Sequence, residues 1–142
     1  MGRESVAKIL VFNDNNQVLI LTTGIHVARP EKSHTPDLPG GLVDANESER
    51  NAVVRETREE VGITLDPNAV RLGYAETRFY SESNTSVTKL LYTTKLAATP
   101  EVTLSHEHEA YEWSDIDTLH NNHELRAFYQ DGIAYIINNH LV

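Results

Sequence analysis

The chain has 142 residues and carries 12 Lys and Arg against 21 Asp and Glu, a net charge of −9 at neutral pH. That length fits a single domain over residues 1–142 with a real core, and 39% hydrophobic and 23% charged residues are ordinary for a soluble globular protein. The balance disfavours nucleic acid as a partner, because polyanion binding needs clustered Lys and Arg. The absence of Cys removes disulfides and thiolate metal sites. No apolar run approaches the roughly 20 residues that cross a bilayer, so no membrane association is expected. The stretch Val6 to Phe12 is short and broken by Lys8, unlike a signal-peptide core, and a cytoplasmic location is the expectation.

In chain order, Ser5 to Phe12 and Gln17 to Thr23 are β-rich runs around Asn13-Asp14-Asn15-Asn16, whose residues tolerate tight-turn dihedrals, so a β-hairpin is expected. Gly24 to Asp37, with Pro30 and Pro36, reads as a loop, and Leu38-Pro39-Gly40-Gly41 ends it sharply. Ser48 to Val61 has helical character, with Asn46 or Ser48 as N-cap and Gly62 as a stop. Ile63 to Leu65, Val70 to Tyr80 and Ser86 to Leu96 read as strands. Beyond Pro100 a stretch rich in His and Glu leads to Tyr111-Glu112-Trp113. Leu125, Phe128, Tyr129, Ile133, Ile136 and Ile137 then recur with helical spacing, and Asp131-Gly132 predicts a break into two short helices. Strands on both sides of a helix point to an α+β or α/β layered domain.

The segment from Gly41 to Ile63 carries the chemistry. At about 100° per residue, Glu56, Glu59 and Glu60 share one helix face, with Val54, Thr57 and Val61 roughly 140° away as the expected packing face. Three like charges at such spacing destabilise a helix by a few tenths of a kcal/mol. Divalent cations remove the conflict, since hard oxygen ligands suit Mg²⁺ or Mn²⁺ and these ions bridge phosphate oxygens. Arg55, four residues before Glu59, can brace that carboxylate. Gly40 and Gly41 before the helix permit an irregular loop and close approach of backbone N–H groups to a ligand.

Gly41, Glu47, Arg55, Glu56, Glu59, Glu60, Gly62 and Ile63 together resemble the Nudix box, G-x5-E-x7-R-E-U-x-E-E-x-G-U, where U is a bulky aliphatic residue. The one departure is Thr57 at an aliphatic position, whose hydroxyl would need a partner if buried. Leu38-Pro39-Gly40 and the Trp-centred Glu112-Trp113-Ser114-Asp115-Ile116 are similar to the family as well. The resemblance implies an α/β/α sandwich around a mixed sheet, with the box as a loop–helix–loop. It also implies hydrolysis, with Mg²⁺ or Mn²⁺, of a phosphoanhydride bond in a nucleoside diphosphate derivative such as a (d)NTP, ADP-ribose or a dinucleoside polyphosphate.

By position in the box, Glu59 and Glu60 would be principal metal ligands, Glu56 a ligand or general base, and Arg55 the residue that orients them. Gly40 and Gly41 would add backbone contacts, and Glu47 would link the loop to the helix. Family members often use another carboxylate from a loop before the Trp-bearing segment. Glu107 and Glu109 are candidates, Glu107 the preferred one, as a further catalytic and metal-binding group. If the segment is extended, His106 and His108 share one face and Glu107 and Glu109 the other. Arg29, Lys32, His34, Arg78 and Lys89 are candidate phosphate or base contacts. Tyr80 lies 17 positions after Ile63, in the range the family associates with diadenosine polyphosphate hydrolases. Family members are often dimers, which admits a homodimer here. A catalytically silent nucleotide-binding domain is the alternative; its mark would be loss of box glutamates, and here all are retained.

Overall fold

Asn13 closes the first turn. Its buried side chain accepts from the backbone N–H of Asn15 (3.0 Å) and of Gln17 (2.9 Å), while Asn16 takes φ 58°, a region that Asn tolerates better than most residues. In the computed structural model, which describes all of residues 1–142, this turn joins β1 (Gly2–Phe12) antiparallel to β2 (Val18–Thr23). The two strands then diverge. Along its whole length β1 pairs parallel with β6 (Thr85–Lys95), from Gly2↔Thr85 to Phe12↔Lys95, and β6 forms an antiparallel hairpin with the edge strand β5 (Arg71–Tyr80). The other side of β1 holds β4 (Gly40–Leu42), with Lys8 opposite Gly40. Strand β2 carries β3 (Pro36–Asp37) and β7 (His108–Ser114). The sheet is therefore mixed.

Alternation along β1 builds two cores. Ala7, Ile9 and Val11 pack with Val53 and Val61 of α1 (Glu49–Val61). Leu10 and Phe12 face the opposite way, towards Leu119 of α2 (Ile116–His120) and Phe128, Tyr129, Ile133 and Ile136 of α3 (Ala127–Asn138). A sheet apolar on both faces needs a helical layer on each, and the result is the α/β/α sandwich expected. Each fully buried Leu or Ile contributes roughly 1.5–3 kcal/mol. No helix is long and apolar enough to cross a membrane.

Three expectations need correction. Ile63-Thr64-Leu65 is not a strand: it pairs with no neighbour, and Ile63 and Leu65 instead pin the chain into the α1-side core. Helix α3 runs unbroken through Asp131-Gly132. A Cβ on Gly132 would stand 2.8 Å from Leu91 Cδ2 and 3.0 Å from Tyr74 Cδ2, so this glycine lets the helix approach the sheet. Of the expected packing face of α1, Thr57 and Val61 are fully buried but Val54 is only partly so; Val53 is fully buried in its place, because the helix is rotated to take Ala52 and Glu60 inward as well.

The Thr57 hydroxyl is fully buried and donates to the Val53 carbonyl at 2.7 Å, which satisfies it within its own helix. Replacing Thr57 by Val removes a donor and orphans nothing, since a carbonyl at i−4 already serves the helix ladder. Urea unfolding should show Thr57→Val within about 1 kcal/mol of the wild type. A loss of several kcal/mol would mean that the hydroxyl serves a group beyond the helix.

Candidate active site

Ser48 caps α1 by accepting from Asn51 N–H at 3.1 Å, and Gly62 ends it in the left-handed region at φ 74°. Between these ends, Arg55 relieves the crowding of like charges. It forks onto Glu47 at 3.0 and 2.7 Å and reaches Glu56 at 3.1 Å and Glu59 at 3.2 Å. Glu47 also accepts from Asp44 N–H at 3.0 Å, tying the preceding loop to the helix as expected. The Arg55 hydrogen bonds hold the Glu47 carboxyl well below the usual carboxylate range. The three helix carboxylates are not equally disposed: the side chain of Glu59 is 54% exposed, that of Glu56 20% and that of Glu60 4%. The acidic face is thus graded from solvent to interior.

The glycine turn supports the inner end of this gradient. Gly40 has φ 126°, and a Cβ there would lie 2.0 Å from the Ala7 carbonyl oxygen, so only glycine fits. Its N–H donates to Glu60 Oε1 at 3.1 Å. A Cβ on Gly41 would stand 3.1–3.4 Å from the Glu56 carboxylate atoms, so the bare backbone there is what lets Glu56 lie close. Both glycines position box carboxylates, and the N–H of Gly40 is committed to Glu60. Burial pushes the Glu60 carboxyl up, to about 8.

Behind Glu60 lies a buried polar network. Asp37 Oδ1 accepts from Lys8 Nζ (3.2 Å), Arg126 Nη2 (3.1 Å) and the Tyr129 hydroxyl (2.7 Å), while Asp37 Oδ2 meets His108 Nε2 at 3.0 Å. Burial would raise the Asp37 pKa, but the Lys8 charge, the His108 hydrogen bond and the Arg126 charge drive it well below the carboxylate range. Burial works against the Lys8 charge too; the Asp37 carboxylate in contact with it outweighs that cost, and the Lys8 pKa is raised. The other His108 ring nitrogen, Nδ1, is buried, has no hydrogen-bond partner and stands 3.6 Å from Glu60 Oε2.

A cavity of about 420 Å³ opens onto this network, lined by Lys8, Lys32, Asp37, Gly40, Glu60, Glu107, His108 and Arg126 among others. On one side it shares Glu60, His106 and Glu107 with an acidic depression that also holds Glu56 and Glu59. On the other it shares Lys8, Lys32 and Arg126 with a trough of about 270 Å³ that adds Arg78 and Lys89. Burial and neighbouring cations (Arg29 and Arg126 foremost) lower the Lys32 pKa, and Lys89 is lowered by burial and by Arg126, Arg78 and Lys8. The molecule, acidic overall, thus has a concentrated basic wall.

Glu107 lies on the cavity rim, whereas Glu109 is turned outward and paired with His34. Residues 106 and 107 form a turn, so His106 and His108 do not share a face: His106 is exposed and His108, opening β7, is buried. Arg29 is exposed near Lys32, and Arg78 lines the basic trough while pairing with Glu76 at 3.6 Å. Tyr80 ends β5 beside Thr85, which pairs with Gly2. Six residues along the strand from Lys8 put it roughly 20 Å from the cavity. Sequence reasoning missed Asp37, His108, Arg126 and the role of Lys8. The available signal was Lys8 itself, a charge inside an apolar strand, which is rarely buried without a partner.

Asp37 gives the fold an acid-sensitive point. Its folded pKa is depressed below the ordinary 3.8, so its contribution is complete above about pH 4 and fades as pH falls below that. Asp37→Asn should cost about 3 kcal/mol at pH 7, because Lys8 and Arg126 lose their buried counter-charge. The difference from wild type should narrow in chemical denaturation series run from pH 5 down to pH 2. A pH-independent difference would show that Asp37 acts through packing alone.

Comparison with known proteins agrees with this geometry. The chain matches the NUDIX domain family over residues 2–135. It is 32% identical over 93 residues to the asymmetrical bis(5'-nucleosyl)-tetraphosphatase of Caenorhabditis elegans, covering 66% of this chain and 66% of that protein. It is 34% identical over 64 residues to the 8-oxo-dGTP diphosphatase of Escherichia coli, covering 45% and 47% of the two chains. In structure it resembles a MutT protein from Methanosarcina mazei, with a TM-score of 0.80 at 23% identity over 97% of this chain and 96% of the other. The box glutamates, the layered fold and the family match agree: the chain belongs to the Nudix family of hydrolases.

Proposed function

We propose that this protein hydrolyses a phosphoanhydride bond in a nucleoside polyphosphate with the help of a divalent cation. One observation carries the reading: the cavity lined by the box carboxylate Glu60 and by Lys8, Lys32 and Arg126 adjoins the depression that holds Glu56 and Glu59. A diphosphate bridging a cation and a basic wall needs that polarity. The donor set fits Mg²⁺ or Mn²⁺, with Glu56, Glu59 and Glu60 from α1 and Glu107 from the loop before β7. Such ions neutralise diphosphate charge and lower the pKa of a bound water.

The protein's own groups supply the rest. Arg55 Nη1 engages Glu56 Oε1, which leaves Oε2 to accept a proton from the attacking water. Gly40 holds Glu60 Oε1, so the same carboxylate presents only Oε2 to the cavity. Lys32 and Arg126 stabilise charge on the departing phosphate, and the trough that shares these two residues adds Arg78 and Lys89 as further cationic groups. Those added cations, and the relative from C. elegans, make dinucleoside polyphosphates the first substrates to try, ahead of (d)NTPs and ADP-ribose.

With Mg²⁺ or Mn²⁺ present, a panel of these nucleotides should give product from at least one. Glu59→Gln and Glu56→Gln should each lower kcat at least about 100-fold while keeping the wild-type circular dichroism spectrum, since neither carboxylate is deeply buried. Wild-type activity in Glu59→Gln would remove it from the machinery. No turnover across the panel, with nucleotide still bound, would favour the silent binding domain.

A further inference from the structure

His108 has two ring nitrogens in opposite circumstances. Nε2 lies 3.0 Å from Asp37 Oδ2, and Asp37 already accepts from Lys8, Arg126 and Tyr129. A carboxylate so surrounded by donors is an acceptor towards the ring, so the proton sits on Nε2 and the lone pair on Nδ1. That lone pair points into a site where nothing receives it: Nδ1 is buried, the side chain is 4% exposed, and no hydrogen-bond partner is present. Glu60 Oε2, at 3.6 Å, is too far for a hydrogen bond. Leaving a buried ring nitrogen unpaired costs roughly 1–3 kcal/mol.

The separation has another use. Two ligands at about 2.0–2.1 Å from a tetrahedral ion stand about 3.4 Å apart, close to the 3.6 Å between Nδ1 and Glu60 Oε2. Glu107 belongs to the same cluster: one ligand atom from each of Glu60, Glu107 and His108 lies within 4.8 Å of the others. Carboxylate, then imidazole, then metal is also the arrangement by which proteins orient a histidine ligand, and Asp37 stands in the outer position.

We propose that His108 Nδ1, Glu60 Oε2 and Glu107 form a mixed nitrogen and oxygen site that binds a divalent transition-metal ion in preference to Mg²⁺. The proposal rests on the reading above only in that the cavity receives a divalent cation. The box carboxylates alone are an all-oxygen set suited to Mg²⁺, whereas an imidazole nitrogen shifts preference towards Zn²⁺, Co²⁺ and Mn²⁺. Two of the three ligands, Glu60 and His108, belong to the interior end of the acidic gradient, each side chain being 4% exposed.

The test needs no substrate, so it stands apart from any failure to find hydrolysis. The protein is loaded with one equivalent of Mn²⁺ and examined by electron spin-echo spectroscopy, unlabelled and with ¹⁵N-histidine. A nitrogen modulation that changes with the label, persists in His106→Gln and is lost in His108→Gln is the expected result. Calorimetry should show Zn²⁺ affinity falling at least about tenfold in His108→Gln, with Mg²⁺ affinity little changed. If His108→Gln does not fold, long-range ¹H–¹⁵N spectra of labelled wild type with one equivalent of Zn²⁺ take its place, and the buried ring must shift at Nδ1. An echo without nitrogen modulation, modulation that His106→Gln removes, or a Zn²⁺ shift at Nε2 or at neither nitrogen overturns the proposal.

Discussion

Asp37 is a carboxylate almost out of reach of water, and four groups from three distant parts of the chain converge on it. Lys8 comes from the middle of β1, His108 from the start of β7, and Arg126 and Tyr129 from the beginning of α3. Buried ion pairs are weak evidence of net stabilisation, because desolvation offsets most of the attraction. What this one fixes is position. It anchors the first turn of α3 against the sheet where the cavity opens, keeps the Lys8 ammonium charged at the cavity wall, and sets the ring of His108 towards Glu60.

A second charge cluster, around Arg55, acts on the outer side of the same site. One guanidinium engages Glu47, Glu56 and Glu59, so the repulsion among carboxylates is reduced before any cation arrives. Glu60 lies outside this cluster and is held by the Gly40 N–H. The box thus divides its acids between two supports. Arg55 braces those near solvent, while the glycine turn and the Asp37 network brace the interior one. Moving Arg55 would disturb Glu56 and Glu59 and leave Glu60 in place.

Short-range spacing made much of this legible. The hairpin turn at Asn13, the cap and stop of α1, and the set Glu56, Glu59 and Glu60 all follow from residues within a few positions of one another. The Asp37 network does not. Its partners lie 29, 71, 89 and 92 positions away, and only the pairing of β2 with both β3 and β7 brings Asp37 to His108. The basic wall was legible only in part: Lys32, Arg78 and Lys89 stand out as candidate phosphate contacts, whereas Lys8 and Arg126 do not, since these residues form no run in the sequence. Gly132 misled in the opposite direction. Glycine between apolar positions signals either a helix break or close packing, and choosing needs the neighbours, here Leu91 and Tyr74.

Net charge is a poor guide to such a protein, because what acts on a ligand is the arrangement of charge within a Debye length of it. A surface at −9 repels nucleotides on average, yet the same field draws divalent cations towards the exposed end of the acidic gradient. An anion that follows a cation inward meets Lys8, Lys32 and Arg126 within the same cavity, where low dielectric strengthens each contact. The basic wall can therefore be short. It needs only to outweigh repulsion over the length of a few phosphates, and a longer basic surface would recruit polyanions that the cavity cannot admit.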